Sequence, residues 1–191
     1  MSEQTPFELA ERVATIARSL GIETALIGAS ALAIYGHVRG TKDIDLASVA
    51  SAEELDRLRS SLEDAGIHAR LSLPDEDDRL GGVVRAWTVE DDGEPLDAVD
   101  VVNFYNALRP IRLPVSELVR HAIALGGTPA LRYVRLPHLI LLKLYAGSRQ
   151  DLADVVAVLK RNPDADIDEI AALCKQYDLD GFDELAAEAK R

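Results

Sequence analysis

Two neighbouring stretches decide the reading of this chain: Ile27-Gly28-Ala29-Ser30, and then Arg39-Gly40-Thr41-Lys42-Asp43-Ile44-Asp45-Leu46. A small-residue turn opens a short apolar helix, and the strand that follows carries two carboxylates separated by one isoleucine. Successive side chains of a β-strand point to opposite faces, so Asp43 and Asp45 project from the same side. Two acids on one face, beside a turn able to hold phosphate, suit a divalent cation and a nucleoside triphosphate. Magnesium takes carboxylate oxygens, water and substrate phosphate, so the protein has to supply only a few acids. Gly28 lets phosphate approach the backbone, and Ser30 adds a hydroxyl donor near the start of the next helix. Arg39 and Thr41 lie just upstream of the acids, in reach of the same phosphates or on the loop surface.

Nucleotidyl transfer needs charge neutralised on the phosphates and an acceptor oxygen held in line. Two metal ions about 3.5–4 Å apart do both, and closely spaced carboxylates bring them together. A third acid would activate an acceptor hydroxyl or complete the second metal site. Asp100, inside Ala98-Val99-Asp100-Val101-Val102, is the candidate. A charge within such an apolar run is costly to bury without a partner, so it is expected to face a site. Asp97 is second choice and reads more simply as a solvated strand end. The bland alternative for Asp43 and Asp45 is a solvated strand face or a helix cap. The glycine turn, the paired acids and the later acid together favour the metal reading.

The surrounding pattern is that of a mixed α/β (α+β) chain. Helical spacing covers Phe7 to Leu20, with Thr5-Pro6 as cap and Gly21 as stop. Thr24 to Ile27 reads as a short buried strand, Ser30 to Tyr35 as a brief helix, and Asp43 to Ser48 as the next strand. Ser51 followed by Glu54 is a capping-box signature for a helix running to Ala65, and Gly66 ends it. Ile67 to Leu71 is a strand, and Asp75 to Asp78 a solvated acidic loop. Val83 to Val89 and Leu96 to Val102 form a hairpin about Asp91-Asp92-Gly93-Glu94. Ser116 to Leu125 is expected to be a helix and Leu131 to Val134 a strand. From His138 the chain reads as four helices, ending with Phe182 to Ala189. The expected organisation is a small mixed-sheet core over 1–134 and a helical part over 135–191, packed on it.

Composition narrows the function classes. The 191 residues, 48% hydrophobic and 28% charged, describe a folded chain rather than a disordered one. Cys174 is the only cysteine, which excludes an intramolecular disulfide and a cysteine-based zinc site. His37, His68, His121 and His138 lack ligand-like spacing, and His37 reads as an incidental loop residue. A net charge of −12 argues against a general nucleic-acid coat, although a local basic groove is compatible with it. The N-terminus lacks a signal-peptide pattern, and the run Leu139-Ile140-Leu141-Leu142, broken by Lys143, is too short to span a bilayer. A soluble cytoplasmic protein without a membrane partner is expected.

Gly28-Ala29-Ser30, the spacing to Asp43-Ile44-Asp45, and the later Asp100 resemble the nucleotidyltransferase superfamily related to DNA polymerase β. The form Arg39-Gly40-Thr41-Lys42-Asp43-Ile44-Asp45-Leu46 is most similar to small prokaryotic members of the abortive-infection toxin type. A second matching block runs from Leu136 to Asp154, where Lys143 and the pattern Arg149-Gln150-Asp151-Leu152-Ala153-Asp154 recur. The resemblance spans most of Gly28 to Leu159. One departure is Ala29, which stands where many members carry a second glycine.

The resemblance implies a magnesium-dependent transfer of a nucleoside monophosphate from a nucleoside triphosphate to an acceptor hydroxyl. Asp43, Asp45 and Asp100 would hold two Mg2+ ions, with Asp100 as third ligand or general base. Gly28, Ser30, Arg39, Thr41 and Lys143 would contact the nucleotide. By spacing alone Lys143 could instead snorkel to solvent, and Asp151 and Asp154 read as residues that start or brace a helix. A toxin-like enzyme acting on tRNA or a protein, with a cognate antitoxin as partner, is one implied role. The alternatives are a small-molecule enzyme resembling the aminoglycoside nucleotidyltransferases, and a noncatalytic nucleotide-binding or antitoxin-like module.

Overall fold

The computed structural model describes residues 5–41, 43–88, 90–91, 94–95, 97–126 and 128–191. The readings that fall on residues 1–4, on Lys42, on Val89, on the Asp92-Gly93 turn tip and on Leu96 lie outside the described residues.

Helix α1 (Pro6–Ser19) starts from a capping box in which Thr5 and Glu8 each accept the other's backbone N–H. Then come β1 (Thr24–Leu26), α2 (Gly28–Ile34), β2 (Asp43–Ser48) and α3 (Ala52–Asp64). The Ser51–Glu54 box stands at the head of α3, as its spacing predicts. Strands β3 (His68–Ser72), β4 (Val83–Trp87), β5 (Glu90–Asp91), β6 (Glu94–Pro95) and β7 (Ala98–Asn103) follow. Strands β4 and β7 pair antiparallel as the hairpin pattern requires, while β5 and β6 form a separate small ladder between them.

The stretch from Ser116 to Leu125 is not one helix. Helix α4 (Val115–Arg120) stops after six residues, and Ile123–Leu125 is a strand, β8, antiparallel to β9 (Thr128–Tyr133). Six residues give too few intrahelical bonds to propagate, and the open edge of β9 offers the chain a ladder instead. Gly126, at φ +59°, supplies the left-handed residue of that turn. The remaining elements are α5 (Leu136–Ala146), α6 (Arg149–Arg161), α7 (Ile167–Gln176) and α8 (Phe182–Ala189).

Seven strands form one mixed sheet in the order β3-β4-β7-β2-β1-β9-β8. The β2–β7 and β1–β9 pairs are parallel and the others antiparallel. Alternation then divides the side chains. Ile44, Leu46, Val84, Ala86, Val99 and Val101 turn to one face and pack with Leu9, Val13, Leu55, Leu58 and Leu62 of α1 and α3. On the other face, Ala25 and Ala47 join α2 and α4–α8 through Leu32, Leu118, Ile140, Leu141, Val155, Ile170 and Phe182. This second cluster takes side chains from both sides of position 134. Cys174 is one of its members, a small buried residue whose thiol burial pushes up to about 11. Among the described residues no helix is long and apolar enough to cross a membrane.

Candidate active site

Five charged residues of neighbouring strands gather on the face that carries α2 and α5. Asp45 on β2 lies beside Asp100 on β7, Arg85 on β4 lies opposite Asp100, and Arg70 on β3 lies opposite Arg85. A row of Arg70, Arg85, Asp100 and Asp45 therefore crosses four adjacent strands, with Asp43 one pleat earlier on β2. Each of these residues interrupts a strand whose other side chains are needed for the opposite core, so their outward direction follows from the pleat. The three acids chosen from the sequence are brought together.

Arg85 ties two of them. Its Nη2 donates to Asp43 Oδ1 at 2.8 Å and its Nη1 to Asp100 Oδ2 at 3.1 Å. Asp100 Oδ1 is buried and has no hydrogen-bond partner among the described residues. Burial, then the charges of Asp100 and Asp43, push the Asp45 carboxyl up to about 6, against the pull of Lys143 and Arg39. Burial also raises Asp100; the Arg85 and Arg70 guanidinium groups oppose the shift and Asp43 adds to it. Excess negative charge in a partly dry site is the common cause. Nearby cations lower that cost.

Gly28 is fixed by geometry rather than by preference. Ile27 N–H donates to the Asp45 carbonyl at 3.0 Å, which docks the turn onto β2. Gly28 adopts φ +60°, and a Cβ placed there would fall on Asp45 Oδ2. Only glycine lets the turn and the carboxylate share this space. Beside them opens a cavity of about 390 Å3 whose lining includes Ile27, Gly28, Asp45, Arg79, Phe104, Leu139, Leu142, Lys143 and Tyr145. Two further lining residues, Asp78 and Leu80, are held by Asn106, whose Nδ2 donates to both of their carbonyls.

Lys143 does not reach for solvent. It is 7% exposed, lines the cavity, and donates to Asp151 Oδ1 at 2.7 Å and Asp154 Oδ2 at 2.9 Å. Asp151 has the expected role at the start of α6, in a capping box with Ser148, and takes Lys143 as well. Asp154 is 0% exposed and collects three further partners. Gln150 Nε2 donates at 2.9 Å, while His37 Nε2 and Arg39 Nε each lie 3.3 Å away. Burial pushes Asp154 up, but the hydrogen bonds from Lys143 and Gln150, with the charges of Lys143 and Arg39, hold it below the ordinary value.

The other sequence candidates divide. Arg39 reaches the site through Asp154. Ser30 is 7% exposed and does not line the cavity. The Thr41 hydroxyl donates to Asp43 O at 2.9 Å and so closes a local turn before β2. Asp97 is exposed just before β7, the solvated strand end that its position suggests. Two residues of this polar cluster are not among the sequence candidates: Arg85, and His37, which reads from the sequence as incidental. Arg85 sits in Val83-Val84-Arg85-Ala86-Trp87, a charge within an apolar strand, the same signal that singled out Asp100. His37 carries no signal of its own, because its partner Asp154 is distant in the chain.

The donor set fits a hard divalent cation. Asp43, Asp45 and Asp100 offer carboxylate oxygens on one face, and the buried Asp100 Oδ1 lacks a partner. Among the described residues no group of three or more His, Cys, Asp or Glu side chains is arranged to hold a metal ion by itself. Magnesium commonly uses one or two carboxylates and completes its shell with water and phosphate, so a full protein cage is not required.

This fold is that of a nucleotidyltransferase. It is similar to an antigenic nucleotidyltransferase-like protein from Paracoccidioides brasiliensis, with a TM-score of 0.54 at 15% identity over 99% of this chain and 93% of that one. JHP933 from Helicobacter pylori is also similar, with a TM-score of 0.45 at 18% identity over 99% and 90% of the two chains. No curated protein matches the chain. The model of the family described as "Nucleotidyl transferase AbiEii toxin, Type IV TA system" matches residues 14–190, and the chain belongs to that family.

Proposed function

We propose that this nucleotidyltransferase moves a nucleoside monophosphate from a nucleoside triphosphate to an acceptor hydroxyl, with magnesium bound at Asp43, Asp45 and Asp100. The observation that carries the reading is the register: Asp45 and Asp100 are lateral neighbours on parallel strands, and Asp45 opens with Gly28 and Lys143 onto one cavity. Magnesium, when bound, supplies the charge neutralisation that a triphosphate requires. The Gly28 turn packs its backbone against the Asp45 carboxylate at the edge of the cavity, and Lys143 with Arg39 provides fixed positive charge. Asp100 is the group assigned in this reading to take the proton of the acceptor hydroxyl, as third ligand or general base. That oxygen forms a bond to the α-phosphorus as the bond to pyrophosphate breaks. The apolar wall of Leu139, Leu142 and Phe104 suits a nucleobase and restricts water.

The toxin family supports a cellular acceptor, a tRNA end or a protein, and a cognate antitoxin as partner. The cytoplasm, where triphosphates and tRNA are plentiful, suits such an activity. The test is transfer of label from each α-labelled triphosphate to tRNA, to lysate protein and to aminoglycosides, with and without Mg2+. Label should reach one acceptor class only with Mg2+. Asp43→Asn and Asp45→Asn should each lower the rate by at least about 100-fold with unchanged circular dichroism. Full transfer by either variant contradicts the assignment. Clear nucleotide binding without transfer to any acceptor supports the noncatalytic alternative.

A further inference from the structure

Arg85 is the one cation that bridges two of the three acids among the described residues, through Nη2 to Asp43 Oδ1 at 2.8 Å and Nη1 to Asp100 Oδ2 at 3.1 Å. The bridge is built into the sheet. Antiparallel β4 sets Arg85 directly opposite Asp100, and parallel β2 brings Asp43 within reach of the same planar group. The guanidinium gives one Nη nitrogen to each acid, and its fork matches this spacing where a lysine point charge would not. Arg70 stands opposite Arg85 on the outer strand, a like-charge neighbour that favours keeping the Arg85 head group on the acid side. The contact claims one oxygen of Asp43 and one of Asp100. Asp45 has no ion-pair partner among the described residues, and Asp100 Oδ1 is bare.

From this geometry we infer that Arg85 is a resident counter-ion of the acid cluster, and that a divalent cation must displace its guanidinium from Asp43 and Asp100 to bind there. The inference rests on the metal-dependent reading above and adds a regulatory consequence to it. A divalent cation at the remaining oxygens of these two carboxylates would sit within a few ångströms of the guanidinium, and like charges that close repel strongly in a partly buried site. Arg85 offsets part of the acids' charge while the site is idle and sets a threshold for cation binding. A cation arriving with a triphosphate carries negative charge that can receive the released guanidinium, whereas a bare cation does not. The bare ion therefore binds weakly.

The experiment is Mn2+ binding to the nucleotide-free protein, followed by electron paramagnetic resonance. Arg85→Gln should bind Mn2+ about tenfold or more tightly than wild type, since competing ligands are coupled through one free energy. Arg85→Lys, which retains the charge without the fork, should fall between the two. In wild type, the Arg85 Nη signals in 15N spectra should be protected in chelator and lose that protection as Mg2+ saturates, a readout independent of any variant's folding. Equal or weaker Mn2+ binding by Arg85→Gln overturns the inference, as does retained Nη protection in Mg2+. If wild type binds the ion and the glutamine variant matches it, only this inference falls. If neither binds Mn2+ with or without triphosphate, the metal-dependent reading falls with it.

Discussion

Gly28 and Asp45 form the tightest pair in the site, because the glycine has no side chain where the carboxylate oxygen lies. Two costs meet in Gly28→Ala: a left-handed backbone angle for a residue with Cβ, and a collision with Asp45 Oδ2. The substitution should lower unfolding free energy by about 1–2 kcal/mol. It should also cut transfer by more than about tenfold through displacement of the carboxylate. Urea unfolding and steady-state rates on the same preparation check both, and wild-type behaviour in both would show that the turn has slack. The grouping of Asp43, Asp45 and Asp100 on one face was legible in the sequence because an acid within an apolar strand has few structural excuses. Arg85 had the same signature. Its role became visible only when the register set it between two of those acids.

At the scale of elements, α5 and α6 act as one unit through a buried charge cluster. Lys143 on α5 is held by Asp151 and Asp154 on α6, and Asp154 also draws in His37 and Arg39 from the loop before β2. Asp154→Ala leaves Lys143 and Arg39 without their shared, fully buried partner. Removing one member of such a cluster strands the opposite charge, so stability should fall by about 3 kcal/mol. Asp154→Asn, which retains hydrogen bonding, should cost less. Denaturant titration ranks the three proteins, and an alanine variant as stable as wild type would mean the cluster is already solvated. The helix-start role of Asp151 was readable from its place after Ser148. The partnership with Lys143 was not, since an eight-residue separation specifies contact only once the turn at Gly147 brings the two helices together. Gly147, at φ +68°, makes that turn.

Across the whole molecule, one sheet separates two apolar clusters, and the face with the acid cluster belongs to the one shared with α4–α8. His138 lies within this half. Burial, with Arg135 and His121 adding and Glu117 opposing, pulls its imidazole down from 6.5 to about 4. Its Nδ1 is buried with no partner among the described residues. The sign follows from linkage: between these values the unfolded chain binds the proton and the folded chain does not. The stability this residue contributes is full above 6.5 and is lost as pH falls toward about 4. Asp45 has the opposite sign, because its raised value favours the folded state at low pH and that advantage fades as pH rises through about 6. His138→Gln should remove the first effect alone. The stability difference between variant and wild type should shift by on the order of 2 kcal/mol between neutral and acidic buffer. Parallel pH profiles from denaturant titration would rule out a buried neutral His138.

By itself the sequence determined the local elements and the chemical character of the site. Capping boxes at Thr5 and Ser51, the glycine turn, and acids within apolar strands are short-range patterns, and short-range sterics and hydrogen bonding suffice to read them. Only the tertiary structure decided the strand order, the conversion of Ile123–Leu125 from helix to edge strand, and the pairing of Arg85 with Asp43 and Asp100. Those depend on which strands become neighbours, a choice made by the burial of both sheet faces together. No window of sequence contains that information.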